Sequence, residues 1–500
     1  MEKIALISLD AIDLKLITVE YEKGGYFNII DEMSEQIKIG KDILADSIIQ
    51  PQKLTEALDI IKMFRKVCDN NGVTKVFAVA INLIKNARNH RSFFEEVYNN
   101  TAINFSILSE DEEIKAQYLG VVNFVDVPKG FIFNIEPYST SVINYNRRNI
   151  LASKMFNFGS VTLADEYIDV QDVEEKWKLM TDYVSKRLEE ITFDSEEETQ
   201  FIGSGSVYVG IGRIAKKITK YPLDMDNNYV VTRQVADEVF KLVKGLDPDK
   251  TKKLKGISEE RADVLLAGLA IVSALNQKFS VEQTTITAGG YKDGVIYNAG
   301  GAEVTDRPIS DMLGYSLETI NKFYNPTSNC NQIYALSLIL FRQLKVLHKL
   351  PRNYLKPLRI AASMFDCGKR IKFENNSKLS FDIILNSKIN GTAQKNILLG
   401  AFSSLCQNLD NFNLSDWVKY ASILDEEDLD AVRKLGVIIS LAAALDSSKN
   451  NNVTDVCCDI LGDSIIIKTI VNGDASFEIR QAMKLAGTFK RVFKRNLQII

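Results

Sequence analysis

Histidine is scarce in this chain: 500 residues contain only His90 and His348. Two imidazoles cannot build a metal centre that needs several. The six cysteines (Cys68, Cys330, Cys367, Cys406, Cys457, Cys458) include no pair at CxxC spacing, and the adjacent Cys457 and Cys458 would point to opposite faces of a strand. They are expected as reduced, buried thiols. No apolar run approaches the roughly 20 residues that span a bilayer. The longest, Val264 to Leu275 and Gly436 to Leu445, fall far short. The opening residues, MEKIALISLD, lack an apolar core followed by a small-residue cleavage site and read as strand. No export signal is expected, and the chain is placed in the cytoplasm, away from membranes. Concentrated positive charge is missing too: 61 Lys and Arg against 65 Asp and Glu leave a net charge of −4, with the basic residues spread throughout. Nothing gathers the field that a reader of nucleic-acid backbones needs, so nucleic acid is not expected as a partner.

What is present is ordinary globular composition, 46% hydrophobic and 25% charged, long enough for two to four domains. An apolar run Ile4 to Leu9, a turn at Asp10 to Asp13 and a partly alternating run Leu14 to Glu20 predict a hairpin. Helical spacing follows over Pro51 to Asn70, then a strand at Val76 to Ile81, a helix over Arg91 to Tyr98, and a strand at Asn104 to Leu108. Ser109 then caps a helix through Glu113 to Tyr118. The pattern restarts about 125 residues on, with strands Lys129 to Ile135 and Thr140 to Tyr145 around a turn at Glu136 to Ser139. Two similar openings suggest a duplicated α/β domain with a cleft between the copies. The second copy continues with a helix over Val173 to Ile191, a strand at Thr199 to Ile202, helices over Thr232 to Val243 and Ser258 to Asn276, and a strand at Thr284 to Ala288. From Asn325 to Asp446 the chain reads as helices broken by Pro326, Pro351, Pro357 and Gly391. The last fifty residues return to strand, at Val456 to Ile460 and Ser464 to Val471 around Gly462, before a basic helix from Ser476 to Arg495.

Several segments resemble the exopolyphosphatase and guanosine pentaphosphate phosphohydrolase (Ppx/GppA) family. Ser258 to Gly268 (SEERADVLLAG) is similar to the family's sPxRADiIlaG, and Thr287 to Gly294 (TAGGYKDG) stands where the family has a Ser/Gly-rich loop ending in Arg-Glu-Gly. Ala80 to Asn89 (AINLIKNARN) resembles ATSALRDAKN, and Leu108 to Val121 (LSEDEEIKAQYLGV) resembles ISGEEEARLIYLGV. The turns Ile7 to Asp13 and Phe133 to Ser141 align with DIGSNS and DIGGGSTE. The resemblance implies two ribonuclease-H-like lobes of the actin, heat-shock-ATPase and sugar-kinase type around a phosphate cleft, then a helical domain related to HD phosphohydrolases. It implies lobes at 1–124 and 125–302, an HD-like domain at 303–450 and a small α/β cap at 451–500. The implied activity is magnesium-dependent release of terminal phosphate from polyphosphate or guanosine pentaphosphate, and the implied assembly a homodimer.

Binding a polyanion in a cleft calls for convergent backbone N–H groups on Gly/Ser/Thr turns and carboxylates to hold the metal. In the first turn Ser8 stands at the family's metal-side Asp, Asp10 at a close-approach Gly and Asp13 at a hydroxyl donor. A carboxylate about 4 Å from a phosphate charge costs on the order of 4 kcal/mol at an effective dielectric of about 20. In the second turn Asn134 stands at the metal-side Asp, and Glu136, Pro137 and Tyr138 stand at three glycines; Pro137 also removes an N–H donor. Ser139 and Thr140 remain as hydroxyl donors. Lys85 falls at the family's phosphate-binding Arg, keeping charge without the bidentate fork. Glu113, then Glu112, is the candidate general base within the run Glu110 to Glu113, which would equally serve as acidic residues on a first helical turn. Gly203 and Gly205 belong to a third loop, which reads either as phosphate contact or as a strand-to-helix turn.

The HD ligand positions fall on Gln332, Phe365, Asp366, Asn376, Leu379 and Cys406-Gln407, leaving Asp366 alone, so no metal ligands are assigned. These substitutions predict a catalytically impaired binding or regulatory paralogue that would take polyphosphate or guanosine penta- or tetraphosphate and no obligate cofactor, with magnesium only if it is active. The alternatives are an active exopolyphosphatase with a rearranged cleft, and a structural partner of an active family member.

Overall fold

The computed structural model describes residues 2–22, 26–194, 199–245, 262–299, 308–324, 329–374, 376–407, 409 and 412–500. The chain forms two compact units, Met1–Ser310 and Asp311–Ile500.

The first unit contains two sheets. One holds β1 (Glu2–Leu9), β2 (Asp13–Glu22), β3 (Tyr26–Gln36), β4 (Lys75–Ala80) and β5 (Phe105–Ile107), in the order β3-β2-β1-β4-β5. β1, β2 and β3 run antiparallel, whereas β4 lies parallel to β1 and β5 parallel to β4. The other holds β6 (Lys129–Ile135), β7 (Thr140–Asn146), β8 (Asn149–Phe156), β9 (Gln200–Ser204), β10 (Tyr229–Thr232) and β11 (Gln283–Ile286), in the order β10-β11-β9-β6-β7-β8. Without β10 the two orders are the same: third, second, first, fourth, fifth strand of each copy. Both hairpins read from the sequence thus occupy equivalent places.

Packing follows from the apolar pattern. One face of the first sheet buries Ile7, Leu9, Leu14 and Leu16 with Leu58, Ile61 and Phe64 of the helix Pro51–Asn70. Its other face, carrying Ile4, Leu6, Ile17 and Val79, meets Ala116, Tyr291 and Ile296. Those residues come from the helices Glu110–Val122 and Tyr291–Ala299. The first of these helices also turns Ile114, Tyr118 and Leu119 toward Ile132, Ile143 and Ile202 of the second sheet. Its backbone and that of Tyr291–Ala299 touch, because a Cβ at Gly120 would strike the Gly290 carbonyl and one at Gly294 the Ala116 carbonyl. The far face of the second sheet buries Phe131, Phe133, Phe201 and Phe279.

The second unit is helical from Met312–Tyr324 to Glu426–Ala444, then forms a three-stranded sheet of β12 (Val453–Leu461), β13 (Ser464–Val471) and β14 (Asn496–Ile499), in that order. The final basic segment departs from the single helix read from sequence. It is two helices, Ser476–Met483 and Ala486–Phe493, followed by β14. Lys494 at φ 57° ends the second helix and turns the chain into the strand. The cysteines depart in part as well: four are buried, but Cys457 is exposed and Cys458 half-buried, because they sit on the edge strand β12. Ser258 of the RAD-like segment lies outside the described residues, and the helix is described from Ala262 to Lys278. Among the described residues no helix is long and apolar enough to cross a membrane.

Candidate functional site

The β1–β2 and β6–β7 turns line one cavity of about 250 Å³ in the first unit. Each turn is tightly closed: Asp10 N–H donates to the Asp13 carbonyl at 2.8 Å and Glu136 N–H to the Ser139 carbonyl at 2.9 Å. Further lining comes from Asn82, Glu110 and Glu113 on one side and from Tyr291 and Lys292 on another.

Lys292, on the helix Tyr291–Ala299, reaches the carboxylates of the β1–β2 turn. Its Nζ lies 2.5 Å from Asp10 and 3.5 Å from Asp13, and the Tyr291 hydroxyl donates to the same Asp10 carboxylate. All three charged side chains are less than a fifth exposed. Burial opposes the charge on Lys292, but Asp10 and Asp13 outweigh it and hold the ammonium well above its usual range. Burial pushes the Asp10 carboxyl up against the attraction of Lys292. At Asp13 burial acts the same way but is outweighed by Lys292 and by the bond to Asp10, so its carboxyl sits low.

Glu113 is the other perturbed group. It is 5% exposed and accepts the Asn82 backbone N–H at 3.0 Å. Burial, with smaller repulsions from Asp10, Glu136 and Glu110, raises its carboxyl to about 7, the range in which a carboxylate can take or give a proton near neutrality. Glu112 is placed differently. It faces solvent and closes a capping box with Ser109, whose N–H and hydroxyl it accepts at 2.8 Å; these bonds lower its pKa.

Of the remaining candidates, the cavity collects Ser139 alone. Thr140 is buried and donates its hydroxyl to the Phe158 carbonyl at 2.9 Å. Ser8 and Asn134 are buried outside the lining, and Asn134 Oδ1 accepts no hydrogen bond. Lys85 is exposed in a short 3-10 turn, Asn82–Asn86, and does not line the cavity. Gly203 and Gly205 serve the backbone: a Cβ at Gly203 would enter the Tyr208 ring, and Gly205, at φ +87°, would drive one into the Ile135 carbonyl. Lys292 had a signal in the sequence, since it stands at the Arg of the family's Arg-Glu-Gly.

Counted together, the lining has five carboxylates (Asp10, Asp13, Glu110, Glu113, Glu136) and two lysines, Lys15 and Lys292. Lys15 pairs with Glu32 at 2.5 Å, and Lys292 is held by the first turn. The donor set does not suit a magnesium ion. Ser8 and Asn134 are neutral, Asp10 is engaged by Lys292 and Tyr291, and among the described residues no three His, Cys, Asp or Glu side chains gather as ligands.

In the second unit the aligned HD positions are occupied by internal bonds. Gln332 donates to the Val453 carbonyl at 2.7 Å, Asn376 to the Phe373 carbonyl at 2.7 Å and Gln407 to the Phe365 carbonyl at 3.3 Å. Asp366 is buried with Lys369 4.0 Å away. His348 contacts the Phe341 carbonyl and accepts the Leu350 N–H, and burial lowers its pKa.

Two α/β sheets of common order, with a polar cavity lined by their equivalent turns, define the class of protein. The model of the Ppx/GppA phosphatase family matches residues 18–302, more than half of the chain, and the protein belongs to that family. A guanosine-5'-triphosphate,3'-diphosphate pyrophosphatase of Aeromonas hydrophila is 21% identical over 443 residues, 87% of each chain. A putative exopolyphosphatase of Haemophilus influenzae is 19% identical over 301 residues, 60% of this chain and 91% of the relative. The crystal structure of the Aquifex aeolicus family member superposes with a TM-score of 0.54 at 20% identity, covering 60% of this chain and 97% of that one. At that identity the likeness establishes the fold.

Proposed function

We propose that this Ppx/GppA protein is a catalytically impaired binding or regulatory paralogue, built to take a phosphorylated ligand such as polyphosphate or guanosine penta- or tetraphosphate. The observation that carries the reading is the clamp on Lys292. A cation that could meet a phosphate is instead neutralised by Asp10 and Asp13 of the turn that should cradle it. The excess of carboxylates in the lining opposes the charge that builds on a phosphate as it is transferred, which fits binding without turnover. The common strand order supports two ribonuclease-H-like lobes at 1–124 and 125–302. The break at Ser310 supports a separate HD-like domain, with a small α/β cap after it. We further propose a cytoplasmic homodimer.

One observation favours the second reading, an active enzyme with a rearranged cleft: Glu113 is buried in the cavity with its pKa raised to about 7. There it would act as general base on a water, with Ser139 as a hydroxyl donor and Glu112 confined to capping the helix. Magnesium-dependent phosphate release from polyphosphate and guanosine pentaphosphate separates the readings. The impaired reading expects release far below about one turnover per second. Faster release that disappears in Glu113→Gln establishes the active reading instead.

A further inference from the structure

Asp446 and Glu478 lie in the second unit and take no part in the cavity. Asp446 follows the helix Glu426–Ala444 and is 4% exposed; Glu478 sits in the first turn of Ser476–Met483 and is 1% exposed. Residues 447–452 join them through side chains. Ser448 donates its hydroxyl to Glu478 Oε1, and Asn452 Nδ2 donates to the same oxygen at 3.3 Å and to the Asp474 carbonyl at 3.1 Å. Asn329 Nδ2 donates to Asp446 Oδ2 at 2.6 Å and to Asn451 Oδ1 at 2.9 Å. One oxygen of each carboxylate is left over: Asp446 Oδ1 and Glu478 Oε2 are buried and accept no hydrogen bond.

Burying a carboxylate without a full set of partners is costly, and two that repel each other cost more. The Asp446 carboxyl is raised chiefly by burial, against hydrogen bonds from Asn329 and the Asn451 backbone, with a smaller repulsion from Glu478. The nearest loop cation, Lys449, is exposed and attracts Asp446 only weakly. What would settle both orphan oxygens is a positive charge that prefers oxygen. The oxygens at hand are hard ones, two carboxylates, the Asn451 amide oxygen and the Ser448 hydroxyl, and the Asn329 and Asn452 amide nitrogens occupy the other carboxylate oxygens. Calcium accepts such a mixture in an irregular shell, whereas magnesium demands near-octahedral geometry and keeps its waters.

We propose that the second unit holds one hard divalent cation, calcium in preference to magnesium, on Asp446 Oδ1 and Glu478 Oε2, with Asn451 Oδ1 and water completing the shell. The ion would tie the end of Glu426–Ala444 to the start of Ser476–Met483. The test is calorimetric titration of the full chain, stripped with a chelator, with calcium and then magnesium chloride. One calcium per chain is expected, with affinity lower on the order of tenfold or more in Asp446→Asn and Glu478→Gln. No calcium uptake at millimolar concentration overturns the proposal, as does uptake that survives both substitutions. If a variant does not fold, crystals of the unmodified chain grown with terbium decide by anomalous scattering. A peak between Asp446 and Glu478 supports the site, and a peak elsewhere removes it.

Discussion

Replacing Glu113 by Gln should stabilise the protein at alkaline pH and leave it unchanged in acid. The side chain is 5% exposed, and its pKa rises from 4.5 to about 7 on folding, first because of burial. A carboxyl raised on folding contributes stability that is fully present below its unfolded value and lost as pH climbs through its folded value. The displacement from 4.5 to about 7 is worth about 3 kcal/mol, so above about pH 8 the native state carries that penalty in full. Glutamine is neutral throughout and can still accept the Asn82 N–H. Thermal unfolding of both proteins between about pH 4.5 and pH 8.5 should therefore show curves that meet at the acid end and separate above neutrality, the variant melting higher. A gap of constant size, or a variant less stable at pH 8, would refute the burial argument and with it the assignment of a proton-exchanging group to the cavity.

Lys292→Met should destabilise the first unit by about 3 to 5 kcal/mol at neutral pH, because Asp10 and Asp13 are left as unpaired, largely buried charges. With their folded pKa values then raised, the loss should shrink as pH falls toward 4; urea melts at two pH values check it, and a pH-independent loss would contradict it. Gly205→Ala should cost about 1 to 3 kcal/mol or more, since the position needs φ +87° and a Cβ there meets the Ile135 carbonyl, and an unshifted melting curve would show that the turn relaxes freely. Light scattering should give twice the 56.2 kDa chain mass at micromolar concentration, and a monomer unchanged on dilution would count against the proposed dimer.

The duplicated plan was legible because β1, β2, β6 and β7 carry apolar runs that bury into the sheets. The third strand of each copy was not. β3 (YFNIIDEMSEQ) and β8 (NILASKMF) are edge strands, mostly exposed or half-buried, so neither face demands apolar residues strongly enough to mark the sequence. In the cavity, Glu113 stood out because the acid run could be aligned, yet nothing in the run itself separates it from Glu112. One helical position decides that Glu112 turns back to cap Ser109 while Glu113 points inward to Asn82. Lys85 and Lys292 show the opposite limit. Each is a lysine at an aligned arginine, and only the fold reveals that the first is exposed while the second meets Asp10, a residue 282 positions earlier.

That separation carries a consequence for how the protein is made. The clamp joins the first turn of the chain to a helix that begins at Tyr291, and the same helix packs against Glu110–Val122 through Gly120 and Gly294. At about 5 to 20 residues per second a ribosome needs roughly 15 to 60 s to deliver those residues after the first hairpin has emerged. Throughout that interval Asp10 and Asp13 have no Lys292, and the inner face of the first sheet has neither Tyr291 nor Ile296 against it. The cavity is therefore completed late, and a nascent chain halted before Tyr291 would lack the Lys292 clamp and the Tyr291 wall of the site.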